Sequence, residues 1–144
     1  MATTPVTHRV FVYGSLKRGH WNNPLLRDCH AAFRGEAVTV QRYHMLSGRV
    51  EGSRRFPVIL DDGPAESARP LTGEIYHVSD ECLALLDRLE RVPESYRREI
   101  ADVMEDGHPV QAFIYVGNVA RWQRSGWPLW TRVNENGELV WIEE

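Results

Sequence analysis

The sequence predicts an α+β fold, in which a mixed, mostly antiparallel, barrel-like β-sheet carries a few flanking helices. At least five short β-rich runs follow one another along the 144 residues, and only one segment has clear helical periodicity. This pattern does not alternate strand with helix, as a parallel βαβ fold would. The length suits one hydrophobic core, so we expect residues 1–144 to form a single domain.

The strand-like runs are separated by turn signals. The first run, Arg9–Tyr13, is broken by Gly14, as expected of a central strand that ends in a turn. The others are 37–47, 56–60, 71–78, 96–104 and 110–116. Asp106-Gly107 predicts a tight antiparallel hairpin between the last two runs, although His108-Pro109 leaves a longer turn open.

One helix is predicted to begin after Ser79 and to end before Pro93. Ser79 suits the N-cap position, and the acidic residues that follow it favour the positive end of the helix dipole. The apolar residues at helical spacing are Cys82, Leu85, Leu86 and Leu89.

Glu90 falls on the apolar face of this helix. At about 100° per residue it projects between Leu83 and Leu86, whereas Asp87 lies at the edge of the apolar arc and is expected to be dispensable for activity. A buried carboxylate needs a partner, a proton or a functional site that compensates its cost. The alternative is that the helix ends early and Glu90 turns outward to an arginine at position 91, 97 or 98.

Composition excludes several function classes. The net charge of −3 gives no drive toward nucleic acid, and no apolar run approaches the roughly 18 residues of a membrane span. We therefore expect a soluble, cytoplasmic protein without nucleic-acid or membrane partners. Two cysteines without CxxC spacing and six scattered histidines indicate no metal site, and both cysteines are expected to be reduced packing residues.

The segment from Val12 to Gly19 contains a candidate anion-binding turn. A strand ends there, and Gly14 permits a backbone turn whose successive N–H groups can hold a carboxylate or an oxyanion. The spacing does not match a phosphate-binding P-loop, and Ser15 lacks the flanking glycines of a nucleophile elbow. A turn with only a structural role is the alternative.

Two motifs together resemble the γ-glutamylcyclotransferase-like, or AIG2-like, family, which includes the γ-glutamylamine cyclotransferases. The first is Tyr13-Gly14-Ser15-Leu16, and the second is Leu-Asp-x-x-Glu-x-x-Pro-x-x-Tyr-x-Arg from Leu86 to Arg98. Further matches are Lys17-Arg18-Gly19 with Asn22 or Asn23, Phe56-Pro57, Gly73-Glu74-Ile75-Tyr76, and the strand with Tyr115.

The resemblance implies an enzyme that converts a γ-glutamyl amine or γ-glutamyl amino acid to 5-oxoproline, without metal or cofactor. It implies that Glu90 is the catalytic acid/base. The residues implied to bind the substrate are Tyr13, Gly14, Ser15, Leu16, Tyr96 and Tyr115. Arg91 departs from the pattern, because many relatives carry glycine after the catalytic glutamate, and a long cation there could narrow the pocket or favour an anionic substrate.

Two other functions remain open at this point. One is a non-catalytic module that binds a small ligand or regulates on the same fold. The other is a hydrolase with Ser15 as nucleophile and a histidine as base. The C-terminal tryptophans could cover a ligand, but core or edge packing is expected of them. The sequence leaves the leaving amine, the pathway and the oligomeric state open.

Overall fold

A computed structural model of the chain describes residues 7–49, 55–61, 65–118 and 127–142. Its elements are β1 (Thr7–Val12), α1 (Asn23–Asp28), β2 (Ala32–Thr39), β3 (His44–Gly48), β4 (Phe56–Leu60), a 3-10 turn (Ala65–Ser67), β5 (Thr72–Ser79), α2 (Asp80–Leu89), β6 (Tyr96–Glu105) and β7 (His108–Gly117). Within these residues, no helix has the length and apolar character needed to cross a membrane.

Five strands form a closed barrel in the order β1-β5-β2-β6-β7. All neighbours are antiparallel except β1 and β7, which close the barrel in parallel at Val10 and Phe113. β3 and β4 form a separate antiparallel pair. The predicted fold class is confirmed, and β1 lies between two neighbours as expected of a central strand.

Two apolar clusters fill the interior on opposite faces of the barrel strands. Residues 10 and 12 of β1 pack with Cys82, Leu83 and Leu86 of α2. Residues 11 and 13 face the other way and pack with Ile75 and Ile114. Side chains along a strand alternate between the two faces of the sheet. The side chains on the outer face of the barrel therefore pack against α2, and those on the inner face fill the barrel interior.

The structure differs from the sequence prediction at two places. Segment 37–47 contains two strands, β2 and β3, separated at the exposed polar residues Gln41 and Arg42. Helix α1 was not predicted because six residues are too short to show apolar periodicity. Helix α2 ends at Leu89, before Pro93 as predicted.

The other local predictions on α2 and the hairpin are confirmed. The Ser79 side chain accepts a hydrogen bond from the backbone N–H of Cys82 at 3.1 Å, as an N-cap does. The β6–β7 turn contains only Asp106 and Gly107, both with positive φ, so Pro109 lies in β7.

Described C-terminal tryptophans pack within the fold. Trp141 is 2% exposed and lies 4.6 Å from Trp130 between ring centroids. Trp127 meets Phe56 edge-on at 5.5 Å. Trp122 lies outside the described residues. For the described tryptophans, the expectation of packing is confirmed.

Candidate active site

The loop Tyr13–Leu16 leaves β1 and is held by the start of α1. The Asn22 backbone N–H donates to the Ser15 carbonyl at 2.9 Å, and the Asn22 side chain donates to the Ser15 hydroxyl at 2.9 Å. The Asn23 side chain donates to the Leu16 carbonyl at 2.8 Å. The two asparagines therefore hold the loop against the start of α1, and the buried Leu16 side chain anchors it in the core.

Glu74 and Pro57 hold the same loop from other sides. The backbone N–H of Arg18 donates to the buried Glu74 carboxylate at 2.7 Å. Gly14 lies against Pro57, whose carbonyl also accepts a hydrogen bond from the Tyr96 hydroxyl at 3.2 Å. Pro57 thus joins the loop to Tyr96.

The hydrogen bonds of Ser15 and Leu16 bear on whether the loop binds an anion or carries a nucleophile. In the described part of the chain, no residue accepts a hydrogen bond from the backbone N–H of Ser15 or Leu16. The only described partner of the Ser15 hydroxyl is Asn22, so no histidine base contacts it. This geometry favours the anion-binding interpretation of the loop over the Ser15 hydrolase.

Glu90 is the C-cap residue of α2. The N–H of Val92 donates to the Asp87 carbonyl at 3.0 Å, and the N–H of Arg91 donates to the Arg88 carbonyl at 3.2 Å. This pair of bonds is the Schellman motif, in which the residue after the C-cap adopts the left-handed conformation that favours glycine. Arg91 occupies that position with φ of 51° and is exposed.

The early helix end therefore does not turn Glu90 outward. Leu83 and Leu86, on the same face, are buried, whereas Leu85 and Leu89 are 41% and 38% exposed, so the apolar face is narrower than predicted. The residue Glu90 is only partly buried, but its carboxyl group is desolvated. Burial raises the pKa of the Glu90 carboxyl to about 7.

Two of the three arginines that could have paired with Glu90 have other partners. Arg97 pairs with Asp61 and Glu99, and Arg98 pairs with Asp87. No ion pair or hydrogen bond of the Glu90 carboxylate occurs among residues 7–49, 55–61, 65–118 and 127–142. No ion pair within these ranges therefore offsets the free-energy cost of desolvating the Glu90 carboxylate.

The charge of Glu90 contributes to the raised pKa of three tyrosine hydroxyls. Burial first, and then the charge of Glu90, raises the pKa of the Tyr13 hydroxyl well above its ordinary value. Burial likewise raises the pKa of Tyr96, with smaller contributions from Tyr13 and Glu90. At Tyr115, burial, Asp87 and then Glu90 raise the pKa. Glu90 thus acts on all three hydroxyls.

The hydroxyls of these tyrosines are tied to the framework. Tyr13 donates to the Tyr115 carbonyl at 2.6 Å, and Tyr115 donates to Asp87 Oδ1 at 2.7 Å. The structure thus brings the loop, Glu90, Tyr96 and Tyr115 into one neighbourhood. Sequence reasoning gave no role to Asp87, whose contacts depend on residues far away in the chain.

A cavity of about 160 Å³ occurs elsewhere on the described surface. Its lining comes from β3, the segment around Ser67 and the C-terminal segment, and includes Tyr43, His44 and Arg69. No predicted site residue lines it. Across the described ranges, no group of three or more His, Cys, Asp or Glu side chains is arranged to hold a metal ion.

Comparisons with known proteins identify the family. The model of the family described as gamma-glutamyl cyclotransferase, AIG2-like, matches residues 10–132. The chain is 37% identical over 111 residues to a gamma-glutamylaminecyclotransferase of Bos taurus, covering 74% of this chain and 63% of that protein. It is 36% identical over 121 residues to the gamma-glutamylaminecyclotransferase of Homo sapiens, covering 74% and 76%. The chain therefore belongs to the gamma-glutamyl cyclotransferase, AIG2-like family.

Solved structures agree with this assignment. The crystal structure of an AIG2-like protein from Mus musculus superposes with a TM-score of 0.70 at 29% identity, covering 96% of this chain and 97% of that one. An allophanate hydrolase of Kluyveromyces lactis matches with a TM-score of 0.68 over 88% of this chain and 20% of that one. Its 17% identity makes the second likeness one of fold alone.

Proposed function

We propose that the protein is a cyclotransferase that converts a γ-glutamyl compound to 5-oxoproline and a free amine, with Glu90 as the acid/base. The observation that carries the proposal is the unpaired, desolvated Glu90 carboxyl, whose pKa is raised to about 7 beside the loop Tyr13–Leu16. A carboxyl with a pKa near neutrality can both accept and return a proton at physiological pH.

The reaction is an internal acyl transfer. The substrate's α-amino nitrogen attacks its own γ-carbonyl carbon, a C–N bond closes the five-membered ring, and the original γ-amide C–N bond breaks. The α-ammonium gives up two protons in all and the departing nitrogen gains two, so no net proton is released. Glu90 carries these protons between the two nitrogens.

The loop supplies orientation and charge stabilisation. The backbone N–H groups of Ser15 and Leu16, which have no described acceptor, suit the oxyanion that develops on the γ-carbonyl. A curled glutamyl chain brings nitrogen and carbonyl carbon to about 3–3.5 Å, where an intramolecular reaction gains most of its advantage. Tyr13, Gly14, Tyr96 and Tyr115 complete the proposed substrate site.

The leaving group is proposed to be an amine. The mammalian relatives named gamma-glutamylaminecyclotransferase support this choice over an amino acid. Incubation with γ-glutamylamines and γ-glutamyl dipeptides, followed by detection of 5-oxoproline, tests the proposal and ranks both classes. Turnover in ¹⁸O-labelled water separates the mechanisms, because cyclisation adds no water, whereas hydrolysis gives labelled glutamate.

Two results would redirect the proposal. Labelled glutamate as the main product would favour the Ser15 hydrolase, and Ser15→Ala should then abolish activity. Binding of 5-oxoproline without turnover of any γ-glutamyl compound would favour the non-catalytic module. Under the proposed mechanism Ser15→Ala lowers activity only modestly, because the backbone N–H of Ser15 acts and its hydroxyl does not.

A further inference from the structure

Asp87 contacts the site without a role in the mechanism given above. It lies on α2, one helical turn before Glu90, and its side chain is 28% exposed. One carboxylate oxygen accepts a hydrogen bond from the Tyr115 hydroxyl at 2.7 Å, and the other pairs with Arg98. The expectation from sequence that Asp87 is dispensable is therefore open to revision.

Arg98 holds the Asp87 carboxylate in place. Arg98 lies directly opposite Tyr115 in the β6–β7 ladder, and its guanidinium stands 4.7 Å above the Phe113 ring. An arginine held on both sides in this way orients the carboxylate that it pairs with. In the contact between Tyr115 and Asp87, the hydroxyl donates and the carboxylate oxygen accepts, so the proton belongs to Tyr115.

That assignment fixes what Tyr115 offers to a ligand. A phenol has one proton to donate, and Tyr115 donates its proton to Asp87. The lone pairs of the Tyr115 hydroxyl oxygen can then only accept a hydrogen bond from a ligand. The Tyr13 and Tyr96 hydroxyls also donate to protein carbonyls, at 2.6 Å and 3.2 Å. The Tyr115 hydroxyl oxygen thus suits a ligand group that donates, as an ammonium does.

We infer that Asp87 is a positioning residue, which holds Tyr115 as a hydrogen-bond acceptor for the substrate's α-amino group. This inference rests on the proposed function and deepens it. Glu90 takes the proton from that amine, and Tyr115 receives another of its N–H groups. The two acceptors orient the nitrogen, while the loop N–H groups bind the carbonyl oxygen.

Asp87→Asn tests the inference by inverting the polarity of Tyr115. Arg98 still needs an acceptor, so the amide oxygen faces Arg98 and the amide nitrogen donates to the Tyr115 hydroxyl. Tyr115 then directs its own proton toward the substrate ammonium. We expect kcat/KM to fall about 10- to 100-fold, mainly through KM, as for loss of a hydrogen bond to a charged group.

Three comparisons separate positioning from a purely structural role. Tyr115→Phe should lose as much as Asp87→Asn, and the double variant should lose no more than Tyr115→Phe alone. The Kd of 5-oxoproline, which has no ammonium, should change less than about threefold in Asp87→Asn. Asp80→Asn, a change on the same helix, removes the contact between Asp80 and His8 of β1 and should leave kcat/KM unchanged.

The outcomes are distinguishable. If wild type releases no 5-oxoproline from any γ-glutamyl compound, the proposed function fails and this inference with it. If wild type is active and Asp87→Asn keeps kcat/KM within threefold, the inference alone is wrong. Equal weakening of the binding of substrate and of 5-oxoproline would also overturn it, since the variant would then have damaged the whole site and not the contact with the ammonium. If Asp87→Asn does not fold, Tyr115→Phe decides by the same comparison of KM with the Kd of 5-oxoproline.

Discussion

Gly14 and Pro57 are in such close contact that a β-carbon added at position 14 would lie 2.6 Å from Pro57 Cγ. The two residues come from β1's trailing loop and from β4, which is not part of the barrel. Because Pro57 also accepts the Tyr96 hydrogen bond, this contact helps to set the distance between the loop Tyr13–Leu16 and Tyr96.

Gly14→Ala should therefore damage both site and stability. Overpacking of this kind costs about 1–3 kcal/mol, and displacement of the loop should lower kcat/KM by at least about tenfold. Thermal melting and steady-state kinetics measure the two effects. Pro57→Ala removes the clashing atoms, so Gly14→Ala/Pro57→Ala should recover part of the loss. No recovery would mean that the defect arises from the backbone of Gly14.

Glu90→Gln should abolish proton transfer while sparing the fold. We expect turnover to fall by about 10²–10⁴-fold, the range typical of a lost general acid/base. The amide keeps the shape but carries no charge to desolvate, so the melting temperature at pH 8 should equal or exceed that of wild type. A variant that melts well below wild type and stays active would identify Glu90 as a structural residue.

The stability difference between Glu90→Gln and wild type should depend on pH. The folded pKa is about 7 and the ordinary value is 4.5, so the folded state binds more protons between these values. Wild-type stability therefore falls as pH rises from about 4.5 to 7, and the penalty is absent below that window. Melting curves of both proteins should converge near pH 4.5 and separate above pH 7. Parallel curves across the window would refute the raised pKa.

The activity of wild type should have an acidic limb. Glu90 must be deprotonated to accept a proton from the α-ammonium, so kcat/KM should decline below about pH 7 with unit slope. An ordinary, exposed carboxylate would give a limb near 4.5 instead. Measurement of kcat/KM from pH 5 to 8 distinguishes these cases, with circular dichroism as the control for unfolding.

Arg91→Gly should stabilise the protein. Arg91 has φ of 51° at the position after the C-cap, where glycine avoids a penalty of about 1 kcal/mol. We expect a rise in melting temperature of about 2–4 °C. Arg88→Gly is the matched control, because Arg88 lies within α2, where glycine should destabilise by a similar amount.

The two cysteines should differ in reactivity. Cys82 is 1% exposed and hydrogen-bonds with Cys29, and burial, followed by that contact, raises the pKa of the Cys82 thiol to about 12. Thiolate is the reactive form, so iodoacetamide at pH 8 should label the partly exposed Cys29 and leave Cys82 unmodified in the folded protein. Peptide mapping measures both, and labelling in denaturant provides the control.

Local signals in the sequence were sufficient for most of the fold. The Ser79 cap, the Asp106-Gly107 turn and the break at Gly14 each depend on a few adjacent residues, and each occurs where predicted. The prediction of one strand over 37–47 was wrong because it also depended on local signals. Apolar residues continue on both sides of the exposed turn at Gln41, so the sequence shows no break between β2 and β3. Helical periodicity alone placed Glu90 on the buried face.

The partners that complete the site were beyond local reasoning. Asp87 meets Tyr115 and Gly14 meets Pro57 only because barrel closure brings distant segments together. The sequence indicates that the long, charged side chain of Arg91 affects the pocket. The positive φ of Arg91 shows instead that its backbone occupies a position that favours glycine, which side-chain chemistry does not reveal. Which hydroxyl donates and which accepts follows from these long-range contacts.

The parallel closure of β1 against β7 has a consequence for synthesis on the ribosome. β1 is made first and β7 last among the barrel strands, and the Tyr13 hydroxyl binds the Tyr115 carbonyl of β7. A nascent chain that stops short of β7 can pair β1 with β5, yet the other edge of β1 stays open and exposed to neighbouring chains. The loop Tyr13–Leu16 is therefore made before β7, but its contact with Tyr115 forms only after β7 has been made.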